Sequence, residues 1–285
     1  MVGTEAEAKH LDTASLHVLM YQLAFVQGDS GAMSKQKAWA QEKQNEASLL
    51  FTEVATEAYE GKIHSARGLS RQAVESLSRD DFSSLGFAFA DSGRREALLG
   101  NLSLAKTPAS RPLTLKTDSR VRFLSALTTA QSQDSTLGQA LAEELNKDFP
   151  DDTLVQSVFI PEIRAQLAMD HNDPSHAIEL LNSVIPYQMG HDSLRSVYLR
   201  GQAYLAGHKG RAAAAEFERI LDHREIVQNS LIGALAHLGL GRAYAMQGNT
   251  TKAKAAYQDF LTLWKDADSD IPILKQAKAE YANLK

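Results

Sequence analysis

The chain has no cysteine, only 7 prolines, and no excess of basic residues. Without cysteine there can be no disulfides, no thiolate metal sites and no cysteine nucleophile. Thirty lysines and arginines stand against 35 aspartates and glutamates, a net charge of −5. A protein that grips nucleic acid through its backbone normally carries the opposite balance on a basic stripe. Long apolar stretches are missing too: no run reaches the ~18 residues that cross a bilayer. The opening Met1-Val2-Gly3-Thr4-Glu5-Ala6-Glu7 is acidic and has no apolar centre, unlike a secretory signal. What abounds is alanine, at 41 of 285 residues. Much alanine with little proline favours close-packed helices.

Periodicity agrees. From Ile232 to Gln247, Leu235, Leu238, Ala243 and Met246 recur at helical steps. No segment alternates apolar and polar β-branched residues long enough to form a strand. Short breaks separate the helical stretches at Gly28-Asp29, Gly61-Lys62, Ser92-Gly93, Asn172-Asp173-Pro174, Lys209-Gly210 and Gly248-Asn249. Breaks this short fold successive helices back as antiparallel hairpins. The expected fold class is all-α.

The hairpins repeat. The clearest unit is Leu240-Gly241-x-x-Tyr244-x-x-x-Gly248-x-x-x-x-Ala253-x-x-x-Tyr257-x-x-Phe260. Gly201-x-x-Tyr204 with Ala213-x-x-x-Phe217-x-x-Ile220 stands one unit upstream in the same register. Equivalent positions fall at 21, 54, 86, 126, 165, 201 and 241, which are 33, 32, 40, 39, 36 and 40 residues apart. A period near 34 with small and aromatic residues at fixed offsets is the tetratricopeptide (TPR) signature. The small residues let two helices approach, and the aromatics fill the remaining gap. One hairpin cannot cover its own apolar face, so hairpins must stack, with contacts expected between neighbours alone.

The expected architecture is a single right-handed TPR-type α-solenoid over residues 1–285. Its hairpins are placed at about 14–46, 47–79, 80–108, 119–150, 158–190, 194–226 and 234–267, with a capping helix at 271–285. A hinge is expected at 106–119, where Pro108 and Pro112 lie among small polar residues. The cap carries Leu274, Ala277, Tyr281 and Leu284 on one face, and Lys275, Lys278 and Glu280 make its other face polar.

Four stretches carry a family resemblance: Leu240 to Lys275, Glu216 to Arg224, Ala177 to Leu181, and Tyr21 to Asp29. They resemble the C-terminal TPR region of bacterial eukaryotic-like serine/threonine kinases, and the likeness runs over nearly the whole chain. In that family the kinase domain lies N-terminal to the repeats and is usually followed by a membrane span. Neither is present in these residues. The resemblance implies a kinase-associated module without phosphotransfer of its own, either free-standing or the sensory or substrate-recruiting end of a membrane-bound kinase. The chain as written is expected in the cytoplasm. Behind a kinase and a membrane span it would lie outside it.

Catalytic and metal motifs fare poorly. His223-Arg224-Glu225-Ile226-Val227-Gln228-Asn229 resembles a kinase catalytic loop, but Glu replaces the proton-accepting Asp and Asn arrives one residue early. Neither a Gly-rich loop nor a strand lysine precedes it. His171 and His176 flank a turn, and His191-Asp192 follows another, without the spacing that sets two imidazoles on one helical face. A serine-hydrolase elbow, Gly-x-Ser-x-Gly, does not occur. The lysines near the C-terminus alternate with acidic residues, a solubilising pattern. The expectation is therefore no catalytic residue, no metal, no cofactor, no nucleic acid and no membrane insertion.

The remaining candidate is the concave groove lined by the first helix of each hairpin. Counting from the repeat register, Phe159, Glu162 and Gln166 face it in the fifth hairpin, with Met169. Arg195, Tyr198 and Gln202 follow in the sixth with Leu205, and Arg242 in the seventh with Leu235 and Leu238. Aromatic, amide and arginine side chains suit a peptide better than a small substrate. The expected role is a monomeric, non-catalytic module or scaffold in bacterial signalling that binds a protein or peptide segment.

Overall fold

The computed structural model describes residues 13–42, 46–78, 81–110, 117–190 and 194–284. Among these residues there are 16 α-helices and no strand. The helices pack as neighbouring hairpins, an arrangement compatible with an α-solenoid. In chain order the pairs are α1 (Ala14–Gln27) with α2 (Ser30–Glu42), α3 (Glu46–Tyr59) with α4 (Ile63–Ser76), and α5 (Phe82–Leu98) with α6 (Leu102–Ser110). Next come α7 (Ser119–Gln131) with α8 (Ser135–Asp148), α9 (Ile160–Asp170) with α10 (Pro174–Asn182), and α11 (Arg195–Ala206) with α12 (Gly210–Asp222). A single turn, α13 (Arg224–Val227), leads into α14 (Leu231–Met246), which pairs with α15 (Thr250–Leu263). The last helix is α16 (Pro272–Ala282). Of the expected hinge, Lys106 to Ser110 lies within α6, while residues 111–116 fall outside the described residues.

Short polar residues start many of these helices. The side chains of Asp81, Asp118, Asp134, Asp173 and Asn249 each accept a backbone N–H three residues on, satisfying a donor with no helical partner. Gly28 and Gly248 end α1 and the turn after α14 with φ of 72° and 71°, a left-handed conformation that glycine adopts without penalty.

The repeat register is the packing register. Tyr21, Val54, Gly86, Ala126, Ala165, Gly201 and Gly241 are all buried, as are Ala73, Ala142, Ala177, Ala213 and Ala253 on the second helices. The closest approaches explain the small residues. A Cβ at Gly201 would stand 2.8 Å from Phe217 Cζ, and one at Gly241 would stand 2.8 Å from Tyr257 Cδ2. Both are shorter than van der Waals contact, so the ring of the second helix occupies the space any side chain would need.

Contacts do not stay between neighbours, which corrects the sequence expectation. The chain closes on itself: α14 packs on α3, and Leu235, Trp264 and Leu274 share one core with Val54, Ile63 and Leu99. Asn229 donates to the Thr52 carbonyl at 2.8 Å and to Thr56 Oγ1 at 3.0 Å. The amide of Asp268 bonds the Gly61 carbonyl at 3.0 Å, and the amide of Ile273 bonds the Leu99 carbonyl at 3.2 Å. A second core, running from Ala90 through Phe123, Phe159 and Leu181 to Ala203, fills the middle hairpins.

Candidate functional site

Closure leaves a cleft where α16 faces the first helices of the middle and late hairpins. Gln131 of α7, Gln166 and Met169 of α9, Tyr198 and Gln202 of α11, and Arg242 of α14 line it. Leu98, Gly100, Ile273 and Gln276 form the opposite wall, and the cavity measures about 360 Å³. Gln166, Gln202 and Arg242 occupy the same place in three successive repeats, one residue beyond the buried Ala165, Gly201 and Gly241. Stacked hairpins set these three side chains in a row.

Charge in the cleft is nearly cancelled. Arg242 makes a two-pronged bond to Glu280, Nε to Oε2 at 2.9 Å and Nη2 to Oε1 at 3.0 Å. Tyr257 donates its hydroxyl to the same Glu280 Oε2 at 2.8 Å. Burial disfavours the Arg242 charge, yet the bonds and charge of Glu280 hold its pKa above the ordinary arginine value. Burial pushes the Tyr198 phenol up to about 12, against the opposing pull of Arg242 and a hydrogen bond to Gln202. Tyr198 is therefore a neutral hydroxyl at any physiological pH. Gln166 donates to Asp170 at 3.0 Å, whose carboxyl is raised chiefly by burial. Gln131 Oε1 is buried with no hydrogen-bond partner among the described residues.

Of the seven residues expected on a groove, Gln166, Tyr198, Gln202 and Arg242 meet in this cleft. Phe159, Glu162 and Arg195 do not; they are buried in the wall between hairpins. Phe159 stacks on Phe123 with ring centroids 4.2 Å apart, and the Arg195 guanidinium lies 4.4 Å above the same Phe123 ring. Arg195 Nε donates to Glu162 Oε2 at 2.7 Å. Side chains there cover one another, and Arg195 borders only a small separate cavity of about 100 Å³. Leu235 and Leu238 are likewise core residues.

Sequence reasoning passed over Gln131, Gln276 and Glu280. The polar face of the last helix reads as solvent-facing, but Glu280 on that face holds Arg242 and Tyr257, and Gln276 looks into the cleft. A carboxylate two residues past Lys278 gives no local sign of a partner 38 positions away. Gln131 stands outside the register of Gln166 and Gln202, five residues past Ala126 instead of one, so repeat counting does not reach it.

The kinase-like stretch has a structural task. Arg224–Val227 is a single helical turn, and Asn229 anchors the C-terminal hairpins to α3. His191 and Asp192 lie outside the described residues. Among the described residues no three His, Asp or Glu side chains converge as a metal site would require, and no helix is long and apolar enough to cross a membrane. No family model matches the chain and no curated protein matches it significantly, so the chemistry of the cleft is read from its own geometry.

Proposed function

We propose that the chain is a TPR-type solenoid that binds an extended peptide segment in the amide-lined cleft and performs no chemistry on it. The observation that carries this reading is the set of glutamines 131, 166, 202 and 276 around one cavity. A glutamine side chain offers a carbonyl and an amide N–H₂, the same groups that a peptide main chain presents. Such a set matches a peptide backbone, and Gln131 Oε1, buried beneath the cleft, has no hydrogen-bond partner among the described residues.

The remaining walls fit the same partner. Arg242 is already engaged by Glu280, so the cleft suits a neutral main chain better than an acidic tail. Leu98, Met169 and Ile273 supply an apolar pocket, with methionine able to adapt to differently shaped side chains. The volume falls within the roughly 300–1,000 Å³ range of ligand pockets, room for a short stretch of peptide. The repeat register, with glycine under the aromatics Phe217 and Tyr257, supports the TPR assignment. The resemblance to kinase-associated repeats supports a setting in bacterial kinase signalling.

Selection of phage-displayed random peptides on the purified chain, followed by fluorescence anisotropy, tests the reading. Gln166→Ala with Gln202→Ala should weaken a selected peptide by about tenfold or more, which is about 1.4 kcal/mol, while leaving thermal unfolding unchanged. Selected peptides that bind the Gln131→Ala, Gln166→Ala, Gln202→Ala triple variant with full affinity would place recognition elsewhere.

A further inference from the structure

The stack begins at α1, and the two sides of that helix differ sharply. His17, Tyr21 and Ala24 are buried, and the Tyr21 hydroxyl donates to Thr56 Oγ1 of α3 at 3.2 Å. On the other side Leu19 and Leu23 are 59% and 56% exposed, more than any other large apolar side chain among the described residues. Leu16, Met20 and Val26 are only partly covered.

The spacing on that side is regular. Leu16, Leu19, Leu23 and Val26 follow one another at steps of three, four and three residues, the pattern with which one helix seats against another. The helices that α1 touches, α2, α3 and α13, leave this stripe open. A terminal hairpin of a solenoid normally turns a polar face outward. Here the terminal helix turns leucine outward.

Charge decides what can cover it. None of the 14 residues of α1 is Asp, Glu, Lys or Arg, and its one histidine is buried on the opposite side. The chain as a whole carries −5. Two copies therefore repel over much of their surface, yet they can meet at α1 without burying a charge or setting like charges face to face. A partner recognised by charge finds nothing to pair with on this face. Residues 1–12 make a poor cover, since they include Glu5, Glu7 and Asp12 and have Val2 and Leu11 as their only branched aliphatics.

We infer that α1 is a dimerisation surface, seated on α1 of a second copy of this chain across a two-fold axis, with Leu19 and Leu23 at the centre of the contact. A two-fold brings the same patch together from both copies, so Leu19 and Leu23 of each leave water at once. It also closes the assembly, because paired seams leave none for a third copy. This dimer stands in place of the monomer expected from the sequence. It is independent of whether the cleft takes a peptide, since no residue of the cleft lies on α1. The seam is short, about 21 Å of helix at 1.5 Å per residue, so association is reversible with a Kd on the order of 10 μM.

Sedimentation equilibrium of the full chain over a concentration series tests this. The mass should rise from 31.2 kDa in dilute solution toward twice that value. Added salt should leave association unchanged or strengthen it, because it screens the repulsion of two acidic chains and no ion pair crosses the seam. Leu19→Glu with Leu23→Glu, both at exposed positions, should weaken association by about a hundredfold or more and leave the melting temperature in dilute solution unchanged. Leu104→Glu, at the next most exposed apolar side chain, should have no effect on association. A wild-type mass of 31.2 kDa at every concentration overturns the proposal and leaves α1 to residues 1–12 or to a different protein. A dimer that salt dissociates, that survives the Leu19→Glu, Leu23→Glu change or that Leu104→Glu splits overturns it equally, since another face then makes the contact.

Discussion

The indole N–H of Trp264 donates to the backbone carbonyl of Tyr59 at 2.9 Å, joining residues 205 positions apart. Around that bond the chain is fitted tightly. Gly61 has a φ of 76°, and a Cβ there would stand 2.9 Å from Trp264 Cδ2 and 2.5 Å from the Ala267 methyl. The seventh hairpin thus seats on the second through backbone that tolerates no side chain. Trp264→Phe should cost about 1 kcal/mol for the lost hydrogen bond, and Trp264→Ala about 3–5 kcal/mol for the cavity as well. Denaturant unfolding gives both numbers. Hydrogen exchange adds a positional check: amides of α3 should lose protection in both variants. Faster exchange confined to α15 would mean that closure does not support the N-terminal hairpins.

Glycine beneath an aromatic ring is the second point of test. Gly201→Ala puts a methyl 2.8 Å from Phe217 Cζ, so it should destabilise by about 1–3 kcal/mol although alanine is the better helix former. Phe217→Leu in the same chain should recover part of that loss. A double-mutant cycle with no coupling between the two positions would contradict the packing described.

Arg200 and Glu216 make a buried pair at 2.6 Å, with side chains 1% and 9% exposed. Arg200 also donates to the Leu181 carbonyl at 3.2 Å and to Gln188 at 2.8 Å, so it bridges the fifth and sixth hairpins. Removing the cation alone should cost about 3–5 kcal/mol, because Glu216 is left charged and buried. Arg200→Met with Glu216→Leu should be far less harmful than Arg200→Met alone. If urea unfolding finds the double variant the weaker, the pair contributes net stability and the desolvation argument fails here.

Acid should loosen the C-terminal half. Burial lowers the pKa of His237 from its ordinary 6.5, with Arg224 adding to the effect and Asp259 opposing it. A depressed folded-state value means the unfolded chain takes up the proton first. Stability from neutral His237 is therefore complete above pH 6.5 and falls as pH drops through the folded-state value. His237→Gln should flatten that part of the stability profile in urea melts. An unchanged slope in the variant would assign the acid sensitivity to carboxylates.

The repeat was legible because its cause is local. Gly201 and Gly241 must be small where Phe217 and Tyr257 cross them, and those partners lie 16 residues away in the same hairpin. Helix starts have an equally local cause, since an Asp or Asn cap acts on the amide three positions on. The candidate site was only half legible. Repeat counting brought Gln166, Tyr198, Gln202 and Arg242 to one face, and the structure sets them around one cleft. The same counting put Phe159, Glu162 and Arg195 on that face, where neighbouring side chains bury them.

Alanine content, short breaks and the register of small residues determined from sequence alone that this chain would be helical hairpins stacked one on the next. Those features act over a single hairpin, within reach of a local pattern. Whether the stack stayed open or closed, which inner residues became wall and which became cleft, and which face of α1 was left uncovered were decided only in three dimensions. They depend on contacts such as Trp264 to Tyr59 and Asn229 to Thr52, whose partners are 205 and 177 residues apart. Small differences in the angle between successive hairpins add up over the stack and determine where its ends meet, and no local period records that sum.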